Sequence, residues 1–139
     1  SDIDFFLEGV EEKMRVQCDA RQLRQVITNL LQNSVDSIAA RNESSKSYSG
    51  KIKILLSIEE RFGSIVISDN GKGLPKENRH RLTEPYVTTR EKGTGLGLAI
   101  VSKIIEDHRG IFRIEDGGLP GSGATATVKI PISNNSTVL

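Results

Sequence analysis

Ile52-Lys53-Ile54-Leu55-Leu56-Ser57-Ile58, followed five residues later by Ser64-Ile65-Val66-Ile67-Ser68, is the stretch on which the fold class turns. Ile52, Ile54, Leu56 and Ile58 alternate strictly with other residues, as a strand with one buried face requires. The interval Glu59 to Gly63 suggests a hairpin turn, and antiparallel hairpins argue against a doubly wound parallel sheet.

Upstream, Ile3, Phe5 and Leu7 alternate, and Met14 to Cys18 alternates again, which predicts a second hairpin near the start. Asp19 is an N-cap candidate. It precedes Leu23, Val26, Ile27, Leu30, Leu31, Val35, Ile38 and Ala39, whose 3 and 4 spacing predicts an amphipathic helix over about Ala20 to Arg41. Downstream, Gly71 to Gly93 has turn residues, charges and two prolines but no period; a loop that long predicts a lid or binding segment. Gly95 to His108 then predicts a helix buried at its N-terminal end, Ile111 to Glu115 and Ala124 to Ile132 predict strands, and Ser133 to Leu139 predicts a frayed tail. The order is α+β, a mixed sheet with helices on one face, in one domain over residues 1–132.

The 139 residues suffice for one domain with a real core. With 19 basic and 18 acidic residues interspersed, no global field attracts nucleic acid or an anionic membrane, so any phosphate binding is local. A single Cys, Cys18, excludes an intrachain disulfide, and no apolar run approaches the roughly 20 residues that span a bilayer. A cytoplasmic location is expected, with the parent protein open to attachment at the inner membrane. The chain starts inside an alternating segment, as a piece of something longer would.

Ten of the 13 glycines fall between Gly71 and Gly123, and three of the four candidate motifs lie there. Asp69-Asn70-Gly71-Lys72-Gly73 follows a strand; it is ordinary turn chemistry, or else Asp69 offers its carboxylate to a donor such as an adenine amino group beside a glycine backbone. Gly93-Thr94-Gly95-Leu96-Gly97-Leu98 leads into a helix, where exposed amides bind phosphate oxygens, with Arg90 and Lys92 adding local positive charge. It matches neither a Walker A loop nor a dinucleotide fingerprint. Gly121-Ser122-Gly123-Ala124-Thr125, alone, is a hairpin turn. The fourth motif carries no glycine: Asn29, Asn33 and Asp36 line one side of the long helix, either a solvated face or a row of oxygen ligands suited to Mg²⁺. His80, His108 and Cys18 have no partners at ligand or nucleophile spacing and read as structural or solvated.

In their order and spacing these four motifs resemble the N, G1, G2 and G3 boxes of the catalytic ATP-binding domain of sensor histidine kinases, over about Val16 to Pro131. The run Glu84 to Ile100 is similar to the nitrogen-regulatory members of that family. The resemblance implies a Bergerat-type two-layer α/β sandwich, with ATP between the long helix and a mobile lid at Leu74 to Thr94. It implies that Asn33 holds Mg²⁺, that Asn29 lies near the phosphates, that Asp69 accepts from the adenine amino group, and that Thr125 supports Asp69 or an adenine-bound water. Gly71, Gly73, Thr94, Gly95, Leu96, Gly97 and Leu98 would border the nucleotide, Tyr86 would pack the lid, and Arg90 and Lys92 would reach the γ-phosphate. Asp36 stands where many relatives have Lys, and Arg109-Gly110 where they have Gly-Gly.

Related ATPases of this fold activate water with a Glu at the position of Asn29, which cannot act as a base. The reading is therefore a kinase half that gives the γ-phosphate to a His on an upstream dimerisation domain, for relay to a response regulator. A nucleotide-sensing module without phosphotransfer, or an ATPase, is the alternative. Oligomerisation in this family belongs to the upstream helices, so a monomer is expected.

Overall fold

A computed structural model describes residues 3–9, 16, 18–44, 49–74, 97–117 and 123–132. Five strands, β1 (Ile3–Glu8), β2 (Gly50–Glu59), β3 (Phe62–Asp69), β4 (Ile111–Asp116) and β5 (Ala124–Pro131), form one sheet in the order β1-β2-β3-β5-β4. Helices α1 (Ala20–Ser44) and α2 (Gly97–Asp107) cover one face. The sheet is mixed: β1 runs parallel to β2, and the remaining pairs are antiparallel. The α+β expectation holds.

The helix begins where Asp19 predicts. Its Oδ1 accepts from the backbone N–H groups of Arg21 and Gln22 at 2.9 and 3.2 Å, satisfying two donors that a helix start leaves open. The β2–β3 turn is tighter than its five-residue interval suggests, because Glu59 pairs with Phe62 and leaves only Glu60 and Arg61 to reverse the chain.

The first hairpin is corrected. Strand β1 pairs in parallel with β2, Ile3 opposite Gly50, and α1 lies between the two strands in sequence as their crossover. Val16 instead makes an isolated antiparallel bridge to Ile132. Alternation reveals a strand's period and not its partner. As an edge strand beyond the helix layer, β1 leaves Phe5 and Leu7 exposed on the face that alternation marks as inward.

Val26, Leu30 and Ile38 of α1, Val101 and Ile105 of α2, and Ile52, Ile67 and Val128 of the sheet form the centre of the core. Each such side chain contributes about 1.5–3 kcal/mol on burial. The helices are antiparallel: His108 at the end of α2 meets Asp19 at the start of α1, and Gly97 at the start of α2 meets Asn29 ten residues along α1. The polar row of α1 and the N-terminus of α2 thereby meet at one end of the sheet. The tail 133–139 and most of the lid, 75–94, lie outside the described residues.

Candidate nucleotide site

Strand β3 delivers Asp69 to that end of the sheet, on the helix-covered face, where it is only 4 % exposed. A lone buried carboxylate is costly, and its surroundings answer the cost with hydrogen bonds. Gly71 N–H donates to Oδ1 at 2.9 Å, and the nearby Ser34 hydroxyl and Ala124 N–H also favour the charged form. Burial raises its pKa above the ordinary aspartate value and the three donors work against that rise. An ionised carboxylate has about four lone-pair positions, more than these neighbours can fill.

The next residue fixes this geometry. Asn70 is buried; its Oδ1 accepts from Lys51 N–H at 2.8 Å, its Nδ2 donates to Ser49 O at 2.9 Å, and its carbonyl accepts from the Arg41 guanidinium. The turn then packs on α1, with Lys72 N–H donating to Ser37 O at 3.1 Å. A Cβ on Gly71 would collide with Ser37, side chain and backbone alike. Among described residues, what requires the missing side chain at Gly71 is the helix. Gly123 sits at φ +119°, where a Cβ would strike the Asp69 carbonyl oxygen; only glycine lets β5 start there and present Ala124 N–H to the carboxylate.

Thr125 is corrected. The register pairs it with Ser68, so its side chain lies on the opposite face of the sheet from Asp69. Its hydroxyl donates to Gly117 O at 2.8 Å and lies 3.2 Å from Ser68 Oγ. The support for Asp69 comes from the main chain one residue earlier.

On α1, Asn29 and Asn33 are half-buried, and Asn29 Nδ2 donates to Gly97 O at 3.4 Å. Asp36, also half-buried, accepts from Gln32 Nε2 at 2.9 Å. Gly97 opens α2, and the Leu98 side chain packs against the core, leaving its backbone amide as the group that can face a ligand. Gly73 and Leu74 follow the Asp69 turn and are half-buried. Tyr86, Arg90, Lys92, Thr94, Gly95 and Leu96 lie outside the described residues. Sequence reasoning missed Ser34, Asn70 and Ala124. Ser34 had a signal, since it falls on the i+4 stripe Val26, Leu30, Ile38 where an apolar residue belongs.

Among the described residues no three His, Cys, Asp or Glu side chains converge as a metal site. The half-buried Asn33 offers a side-chain amide oxygen, a hard donor of the kind that Mg²⁺ takes alongside water and phosphate oxygens.

Comparison with known proteins identifies the family to which this fold belongs. Residues 18–134 match the family described as histidine kinase-, DNA gyrase B-, and HSP90-like ATPase. The nitrogen regulation protein NtrY of Azorhizobium caulinodans is 46% identical over 111 residues, 80% of this chain and 14% of the relative. The histidine-protein kinase AtoS of Escherichia coli is 37% identical over 139 residues, 98% of this chain and 21% of that protein. The nucleotide-free catalytic domain of the histidine kinase ThkA superposes with a TM-score of 0.77 at 33% identity, over 94% of this chain and 79% of that domain. ThkA solved in complex with the response regulator TrrA matches with a TM-score of 0.74 at 30% identity, over 94% of this chain and 34% of that one. The chain belongs to the histidine kinase-, DNA gyrase B- and HSP90-like ATPases, and within them to the catalytic domains of sensor histidine kinases. It spans only about a fifth or less of the length of these two sequence relatives. No helix among the described residues is long and apolar enough to cross a membrane.

Proposed function

We propose that this domain binds Mg-ATP and, in its parent protein, presents the γ-phosphate to a histidine on an upstream dimerisation domain, from which a response regulator takes it. The observation that carries the reading is the buried Asp69 carboxylate, held by Gly71 N–H with an acceptor position left, at the same sheet end as the Asn row and the start of α2. That free position accepts the exocyclic amino group of adenine. The α2 N-terminus, with the Gly97 and Leu98 amides, faces the phosphates, where aligned peptide dipoles favour negative charge. Asn33 holds Mg²⁺ through its side-chain oxygen; the ion, when bound, neutralises charge on the phosphate oxygens. Arg90 and Lys92 of the segment 74–94 approach the γ-phosphate, and Tyr86 packs that segment closed.

In the transfer, a neutral imidazole nitrogen attacks the γ-phosphorus in line, the bond to the β,γ-bridging oxygen breaks, and ADP leaves with that electron pair. Asn29 has no proton-accepting group with which to activate water, so ATP persists until the imidazole arrives. The response regulator as final acceptor is supported by ThkA, whose structure with one is known.

Mixing the chain with the separate dimerisation domain and γ-labelled ATP should yield acid-labile phosphohistidine. ATP binding without it would overturn the kinase reading, and steady phosphate release from this chain alone would indicate a hydrolase. Asp69→Asn should weaken ATP more than inorganic triphosphate; equal weakening would overturn the adenine assignment.

A further inference from the structure

Strand β1, Ile3-Asp4-Phe5-Phe6-Leu7-Glu8, stands at one end of the sheet order, and among the described residues no strand lies beyond it. One of its sides pairs with β2 in parallel; the other leaves a row of N–H and C=O groups open to a further strand. Its side chains are open as well: Phe5, Phe6 and Leu7 are 59, 47 and 72 % exposed. Natural edge strands are blunted by Lys, Pro or a bulge, and β1 has none of these. The opposite edge, β4, carries Arg113 and half-buries Phe112 and Ile114. The unguarded apolar edge is therefore particular to β1.

What fits beside it follows from its own register. In an antiparallel ladder a residue whose N–H and C=O point outward lies opposite another that also points outward, so two copies of β1 can pair only when facing residues have the same parity. Only the registers centred on Phe5 or on Phe6 then use most of the strand. Centring on Phe6 sets Asp4 against Glu8 of the second copy, acid on acid, at both ends. Centring on Phe5 sets Phe5 on Phe5, Ile3 on Leu7 and Asp4 on Phe6, and opposes no two acids within the strand. Glu8 then falls past the end of the second strand, and Lys53 of its own copy answers it at 3.2 Å. Ile3, Phe5 and Leu7 share the face of Ile52 and Ile54, so this register joins the two apolar rows beyond each helix layer. A net charge of +1 sets no repulsion between copies at a distance.

We propose that β1 is a self-association edge: two copies of this chain pair antiparallel through β1, centred on Phe5, into one continuous sheet with both helix layers on the same side. The arrangement closes as a two-fold dimer, because β4 at the other edge is a different surface. Phe5, Phe6 and Leu7 together expose only about 300 Å² per copy, against roughly 800 Å² per partner in a standard interface, so the dimer is weak and reversible, with a Kd of about 10–100 µM. The monomer expected from the sequence is its dilute form.

Sedimentation equilibrium of the whole chain over about 1–500 µM tests this. The wild type should pass from monomer to dimer across that range. Phe5→Lys, which brings two ammonium groups together at the two-fold axis, and Leu7→Lys should each weaken association by about tenfold or more. Both side chains are exposed, so the fold should survive, as melting curves would check, and Leu7→Lys decides the matter should Phe5→Lys unfold. Phe6→Lys tests the register: it faces Asp4 of the second copy, so it should keep the dimer or tighten it about twofold, a gain that added salt removes. A wild type that stays monomeric throughout overturns the proposal and leaves the edge to a different chain. Association that survives both Phe5→Lys and Leu7→Lys, growth into larger assemblies, or loss of the dimer in Phe6→Lys overturns it equally.

Discussion

The side-chain nitrogen of Asn29 donates to the carbonyl oxygen of Gly97 over 3.4 Å, joining the polar row of α1 to the first residue of α2. One amide hydrogen is thereby committed to the protein, and the side-chain oxygen is held at the mouth of the α2 N-terminus. Asn29→Ala should lower Mg-ATP affinity about tenfold while reducing unfolding free energy by no more than about 1 kcal/mol, because the bond is long and part-exposed. Asn29→Asp should lower affinity further, since a carboxylate would face both the Gly97 carbonyl and the phosphates. Calorimetric titration with urea unfolding separates the two effects; intact affinity in Asn29→Ala would remove Asn29 from the site.

Asp69 gives the site a pH dependence whose sign follows from its burial. Its folded-state pKa is raised above the ordinary 3.8 by desolvation, against the pull of the Gly71, Ser34 and Ala124 donors. Between that value and the raised one, the folded chain holds a proton the unfolded chain has released, so this residue's contribution to stability falls as pH rises through the window and is level above it. Nucleotide binding runs the other way. Accepting an amino hydrogen requires the ionised form, so affinity should be lost on acidification at a pH above that of an ordinary aspartate. ATP itself titrates, so the measurement is the difference between wild-type and Asp69→Asn affinity profiles over about pH 4 to 8; a difference constant across that range would overturn the assignment.

The elements and their residues were largely legible in the sequence, because alternation in β2, β3 and β5 and the 3 and 4 spacing in α1 are direct consequences of burying one face. What was not legible is which strand lies beside which. Ile3 to Leu7 alternates as well in parallel beside Gly50 as it would in a hairpin. At the site, the carboxylate was legible and its donors were not: Ala124 N–H and Gly71 N–H are main-chain groups with no side-chain signature. The resemblance marks Thr125 as a support for Asp69, yet strand parity turns its hydroxyl to the other face. Asp69 and Ser34 are 35 positions apart, and only the packing of α1 on β3 brings them together.

The end of α2 is closed by two hydrogen bonds, Gly110 N–H to Ile105 O and Arg109 N–H to Glu106 O, both at 2.9 Å, with Arg109 in the left-handed region at φ +59°. This is the Schellman arrangement, in which glycine is preferred at the Arg109 position. Arg109→Gly should therefore stabilise the chain by about 0.5–1 kcal/mol in urea unfolding, the left-handed penalty outweighing the added freedom of the unfolded chain. Gly110 is the position that tolerates nothing larger, because a Cβ there would strike the Lys129 carbonyl oxygen of β5. Gly110→Ala should cost more than about 2 kcal/mol. The reverse ranking of the two variants would mean that the cap is not formed as described.

His108 ties the same end of α2 to the start of α1. Its Nδ1 lies 2.8 Å from Ile104 O and its Nε2 accepts from Asp19 N–H at 3.0 Å, so the partners assign the ring proton to Nδ1. The contact holds the residue whose carboxylate caps α1 through Arg21 and Gln22. His108→Ala should lower stability by about 1 kcal/mol, and the loss should be local. Hydrogen exchange of the Asp19, Arg21 and Gln22 amides should quicken several-fold, while the Lys72 amide, bonded to Ser37 O near the other end of α1, should exchange at its wild-type rate. Equal acceleration at both places would show a global loss of stability and would dismiss His108 as a local clamp between the helices.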